Sequence, residues 1–213
     1  MTDDRDLVLE RIREALAGVG ERAPTPVFDD ALPSAAGRLV GPEPLDDFRR
    51  HFESAAGRFL ADAEALAALL AAERVDCAYC DPRLPADLAR ALRTAGVETL
   101  DRFDRRRAEE IGAAVTPATA AIAETGTLVL TDADTSDRLA SVAPWIHVAV
   151  LDPAAIAATM VQALGALPDD PNVVFVTGPS QTADVEGILI RGVHGPGIQA
   201  CLPMAWRNPG EHA

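Results

Sequence analysis

Between residues 62 and 100 the chain alternates helix-like and strand-like stretches, and no other feature limits its fold as much. Asp62 to Arg74 reads as a helix, with Asp62 as N-cap and Leu66, Leu69 and Leu70 on one face. Asp76 to Cys80 reads as a strand, Pro85 to Ala95 as a helix, and Val97 to Leu100 as a strand after Gly96. Strands joined through helices must run parallel, with right-handed crossovers. The expected class is therefore α/β with a mostly parallel sheet.

The remaining chain extends this pattern. Asp3 to Ala17 reads as a helix ended by Gly18 and Gly20, and residues 21 to 44 as a Pro- and Gly-rich linker. A main domain is expected over 45–205, with 1–44 as helix and linker and 206–213 as a tail. Leu45 to Gly57 reads as a helix and Arg58 to Ala61 as a short strand. Arg105 to Ile111 and Thr135 to Ala140 read as short helices. Ala121-Ile-Ala123, Leu128-Val-Leu130, Trp145 to Leu151 and Asn172 to Val176 read as strands. Pro153 to Leu164 is expected to be one helix opened by its proline. Thr182 to Ile190 is mixed, and Gly197 to Met204 closes the sheet.

Charge and composition exclude several functions. The formal net charge is −14, which argues against a phosphate-backbone surface and against docking on anionic lipid. The basic residues are all Arg, so Schiff-base chemistry and a P-loop lysine are both excluded. No apolar run approaches the ~20 residues of a bilayer span, and the N-terminus lacks a signal-peptide core; a cytoplasmic location is the default expectation. No dinucleotide, Walker, zinc-protease or EF-hand pattern occurs, so no cofactor and no metal are expected. Cys77 and Cys80 form a lone C-x-x-C inside a strand-like run, with Cys201 far away. A structural zinc or iron–sulfur cluster needs about four ligands, so these thiols read as small core residues.

Three polar motifs interrupt apolar runs. Glu124-Thr-Gly-Thr127 puts a carboxylate and two hydroxyls around Gly126, where the chain bulges or something approaches closely. Glu124 is either a base, nucleophile or acceptor at a pocket mouth, or a structural group pairing inside the fold. Val173-Val-Phe-Val176 delivers Thr177-Gly-Pro-Ser180, then Thr182, Asp184 and Glu186. Gly178 lets the chain leave the strand tightly, while Ser180 and Thr182 can cap a helix or hold an anion. Gly192-Val-His-Gly-Pro196 holds His194 between Gly192 and Gly195, sterically free to act as acid, base or ligand. His147 lies in an apolar strand and reads as a satisfied structural histidine. The run Arg105-Arg-Arg107 reads as a solvated face.

Taken as a set, Ala123-Glu-Thr-Gly-Thr-Leu128, Ser136-Asp-Arg-Leu-Ala-Ser141 leading to Pro144-Trp-Ile-His147, Thr177-Gly-Pro-Ser180 with Thr182-Ala-Asp184, and Gly192-Val-His-Gly-Pro196 resemble the LUD-domain family, most closely its lactate-utilisation branch. The resemblance covers about residues 55 to 205. Gln181 and Val185 depart mildly from the usual pattern. It implies a three-layer NagB/RpiA/CoA-transferase-like fold with an N-terminal helical segment. It also implies a non-redox part in oxidising L-lactate to pyruvate, alongside iron–sulfur and cysteine-rich partner subunits. The alternative expectation is a stand-alone enzyme or a ligand-binding regulatory module for a small anionic ligand of carboxylate, sugar-phosphate or CoA type. On either reading Glu124 and His194 are the expected catalytic groups. Thr125, Gly126, Thr127, Gly178, Ser180, Thr182, Asp184 and Gly195 are the expected ligand contacts. Glu124, Ser180 and His194 should then face one cavity at the sheet's edge.

Overall fold

The computed structural model describes residues 4–18, 41, 43–167, 169–183 and 189–206. Most of the Pro- and Gly-rich linker, Asp184 to Glu186 and the tail beyond Trp206 fall outside the described residues. The chain divides into two units, Met1–Ser34 and Ala35–Ala213. In the first, α1 (Asp4–Leu16) carries Asp4 and Asp6 in its first turn and Arg13 in its last, as the helix dipole favours.

The second unit is built on a six-stranded sheet. Its strands are β1 (Arg58–Phe59), β2 (Cys77–Cys80), β3 (Glu98–Leu100), β4 (Ala113–Ala118), β7 (Ile146–Leu151) and β12 (Ile198–Pro203), in the order β1-β12-β7-β4-β2-β3. Every pairing in it is parallel, as the helix–strand alternation requires. The sheet ends at β1, not at β12, because Arg58 and Phe59 pair with Ala200 and Cys201.

Two faces alternate along each strand. On one, Ala78, Cys80, Val115, Val148 and Ala200 pack against the leucines of α3 (Ala63–Ala72) and α4 (Ala86–Thr94). Asp62 caps α3 by accepting from the Ala65 N–H at 2.8 Å. On the other face, Tyr79 and Ala114 meet Phe103 and Ile111, while Ala149, Leu151 and Cys201 meet α2 (Pro44–Ser54) and a second sheet. In α2, Phe48 and Phe52 are fully buried with rings stacked at 5.4 Å. Pro44 starts that helix, where a missing N–H costs nothing.

The second sheet has four strands, in the order β8 (Ile156–Ala157), β5 (Ala120–Ile122), β6 (Thr127–Thr131), β9 (Val173–Val176). Its β5–β6 and β6–β9 pairs are antiparallel. Its far face packs Ile122 and Val129 on Ala163 of α5 (Met160–Ala166). The single helix expected over Pro153 to Leu164 is divided. Pro153–Ala155 forms a 3-10 turn capped by Asp152, then Ile156 and Ala157 pair with β5. Thr159 starts α5 with a capping box to Gln162, and that local signal overrides the helix-like run before it. The expected short helices at 105–111 and 135–140 contract to 3-10 turns, Arg105–Arg107 capped by Asp104 and Arg138–Ser141 capped by Asp137. β10 (Gln181–Ala183) and β11 (Leu189–Arg191) pair antiparallel. Among the described residues no helix is long and apolar enough to cross a membrane.

Candidate functional site

Strand β2 is the point at which the parallel sheet changes direction. It leads through α4 to β3 on one side and pairs with β4 on the other. In open α/β sheets, ligands bind outside the carboxyl ends of strands at such a switch point. Asp81 immediately follows β2 and is 1% exposed. Burying a carboxylate is costly unless hydrogen bonds satisfy it, and Asp81 accepts four. The donors are the Tyr79 hydroxyl (3.1 Å), the Arg83 N–H (3.0 Å), and the N–H and hydroxyl of Ser136 (both 2.8 Å). Burial, reinforced by the Asp81 charge, pushes the Tyr79 hydroxyl well above the usual phenol range, so it remains a donor. This network ties the loop after β6 to the end of β2.

A crevice of about 680 Å³ opens beside that network, lined by Tyr79, Arg102, Arg105, Arg106, Ser136 and Asp137 among others. A neighbouring cleft of about 590 Å³ shares Arg105, Ser136 and Asp137, and adds Arg83, Thr135 and Arg138. None of these residues was an expected site residue. The legible signal was Asp81, an acid set directly after a buried strand. The three arginines gave none, since a solvated basic turn and a cavity wall look alike in sequence.

Most of the expected site residues lie in the β5–β6 turn and in the loops after β9 and β11. Glu124, half-buried in the β5–β6 turn, accepts a 2.7 Å hydrogen bond from the Met160 N–H, and so caps α5. Gly126 has φ 65°, and a Cβ there would run into the backbone of His51 and Phe52. The turn thus packs directly on α2, where His51 donates from Nδ1 to the Ala123 carbonyl at 2.6 Å. Thr125, Thr127 and Thr177 form a chain of hydroxyls linked at 2.7 Å each, joining this turn to the Gly-Pro-Ser loop.

Gly178, at φ 92°, brings that loop onto the Ala55 carbonyl, a closeness no side chain would permit. Ser180 donates its N–H to Pro196 (2.8 Å) and accepts at its carbonyl from Gly192 (3.0 Å). A Cβ on Gly195 would lie 3.2 Å from that of Ser180, so the two loops touch. His194 is exposed at the tip of its loop, and Thr182 is half-buried in β10 opposite Ile190. The expected contact Asp184 lies outside the described residues. The structure therefore brings Thr125 and Thr127 to the strand end at Thr177, and Ser180 to Gly195. It engages Glu124 at α5, and Glu124, Ser180 and His194 line neither of the clefts above.

His147 is fully buried in β7, between the Thr116 hydroxyl and the Gln199 side-chain carbonyl, each at 2.9 Å. Donation from Nδ1 to Gln199 leaves Nε2 to accept from Thr116, the neutral tautomer. Burial lowers its pKa to about 4. The cysteines are free thiols, all buried. Burial pushes Cys80 up to about 11 and raises Cys77 and Cys201. Cys77 and Cys80 lie on opposite faces of β2, in separate core clusters.

The LUD domain model matches residues 63–201. Proteins named lactate utilization protein C are similar over part of the chain. That of Bacillus licheniformis is 35% identical over 99 residues, covering 43% of this chain and 41% of that protein. That of Shouchella clausii is 33% identical over 118 residues, 49% of this chain and 50% of that protein. That of Halalkalibacterium halodurans is 33% identical over 134 residues, 57% of this chain and 58% of that protein. The chain thus spans about half the length of the curated relatives it matches. A crystal structure of a DUF162 family protein from Deinococcus radiodurans shares the fold, with TM-score 0.53 at 21% identity over 76% of this chain and 97% of that one. The matched segment holds most of the parallel sheet, the Asp81–Ser136 network and all four motifs, and the chain belongs to the LUD-domain family.

Proposed function

We propose that this chain is a cytoplasmic, non-redox component of a lactate-utilisation system, working with iron–sulfur and cysteine-rich partner proteins. In that system L-lactate loses two electrons and two protons to give pyruvate, and the electrons pass to the iron–sulfur partner. The observation that carries the reading is the LUD domain over residues 63–201, together with the similarity to relatives named lactate utilization protein C. The buried, protonated thiols support a non-redox part, because thiolates and not thiols ligate clusters.

Within this role the motif face would hold a small anion. The Thr125–Thr127–Thr177 chain supplies hydroxyl donors, with Gly126 and Gly178 seating both turns on α2 and its C-terminal end. Ser180, Thr182 and Gly195 complete the contacts, and His194 stands exposed beside them as the acid–base group. Glu124, held at Oε1 by the Met160 N–H, would act as a base through its other carboxylate oxygen. The test is L-lactate-dependent reduction of an electron acceptor in a reconstituted system, with and without this chain. A full rate in its absence would sink the proposal. A rate lost with His194→Ala, in a protein of unchanged thermal midpoint, would support the motif face.

A further inference from the structure

We infer that the crevice over the carboxyl ends of β2 and β3 binds a phosphate ester larger than a three-carbon acid, with Arg102, Arg105 and Arg106 holding the phosphate. The inference goes beyond the lactate role and uses none of the motif-face residues. Position supports it first: the crevice stands at the switch point of the parallel sheet, where polar loops from several strands meet. Size supports it next. At about 680 Å³ the crevice falls in the range, roughly 300–1,000 Å³, of pockets for drug-sized ligands. The adjoining cleft of about 590 Å³ shares Arg105, Ser136 and Asp137, so one ligand can extend across both.

Charge supplies the chemistry. In a chain of net charge −14, carboxylates outnumber arginines, and several arginines pair with them. Arg107 does so twice, with Glu98 and Glu110. Among the described residues, Arg102, Arg105 and Arg106 form no such ion pair, yet all three line one crevice. Guanidinium groups match phosphate oxygens with paired donors. Asp101, Asp104 and Asp137 also line the crevice. Asp104 already accepts from the Arg106 N–H (2.9 Å) and Asp137 from the Leu139 N–H (2.8 Å). Their remaining lone pairs suit ligand hydroxyls, as on a sugar ring.

The wall is also prepared in advance. The buried Asp81 fixes Ser136, and Phe103 anchors the arginine loop by an edge contact with Tyr79 at 5.7 Å. Such preorganisation lowers the ordering cost of binding.

Calorimetric titration of the full chain tests this, with ADP, coenzyme A, inorganic phosphate and L-lactate at fixed ionic strength. ADP or coenzyme A should bind more tightly than inorganic phosphate. The pair Arg105→Ala with Arg106→Ala should weaken that binding roughly tenfold or more. Arg90→Ala, on the outside of α4, should leave it unchanged. The altered side chains are exposed, and an unchanged thermal midpoint verifies folding; Arg102→Ala alone serves if the pair fails that check. No ester binding, binding indifferent to the arginines, or an ester no tighter than phosphate (an adventitious ion only) would each overturn the inference. So would arginine-dependent binding of L-lactate alone. Lactate oxidation is read in a separate assay, so failure here leaves the lactate role standing.

Discussion

Asp81 and Ser136, 55 residues apart in the chain, are joined by two hydrogen bonds: one Asp81 carboxylate oxygen accepts the Ser136 N–H and the other its hydroxyl. The loop after β6 is thereby fastened to the end of β2. Asp81→Ala strips partners from the buried Tyr79 hydroxyl and from Ser136, and should cost about 3 kcal/mol or more, because each buried donor left alone carries its desolvation penalty. Ser136→Ala removes one bond of the set and should cost about 1 kcal/mol. Urea denaturation of the two variants checks both size and order; equal, small losses would contradict the network.

Stability should fall on acidification through His147. Its folded pKa is about 4, below the ordinary 6.5, so the unfolded chain takes up the proton first. The contribution is intact above about pH 6.5, declines as pH falls to about 4, and then levels off, a loss of roughly 3 kcal/mol. Thermal midpoints across that window, compared with His147→Gln, isolate it from the carboxylates. Matching slopes in the two proteins would refute it.

Two glycines should respond in opposite directions. Gly126→Ala forces a side chain into the α2 backbone at positive φ, and should destabilise by about 2 kcal/mol or more. Gly165 sits in α5, and among the described residues nothing lies within 4 Å of where a Cβ would stand, so Gly165→Ala should stabilise by about 0.5–1 kcal/mol. Calorimetric melting of both variants gives the signs directly.

Glu124→Gln separates chemistry from scaffolding. As the cap of α5 alone, the change should cost about 1 kcal/mol of stability and leave lactate oxidation intact once folded. As a base in addition, it should abolish turnover for the same small loss of stability. Paired activity and denaturation curves on one preparation decide between them.

Cys77, Cys80 and Cys201 should resist thiol reagents in the native protein and react fully in denaturant, since burial both hides them and holds them protonated. Rapid native labelling of any thiol would contradict this.

Local chemistry alone determined the elements with strong periodicity or caps. Asp62 before its leucines, the C-A-Y-C strand and the parallel alternation from 62 to 100 follow from helix and strand periods that neighbours in sequence set. So did the character of His147, an imidazole in an apolar strand. Tertiary structure decided the rest, because pairing depends on partners far away in the chain. Ile156 and Ala157 became a strand because β5 was available, against a helix-like run. Glu124 became a helix cap because Met160 folds back onto it. Arg102, Arg105 and Arg106 became a cavity wall because Asp81 draws Ser136 across 55 residues to close the other side. Residue type fixes which groups can bind or react, whereas their convergence is set by chain topology.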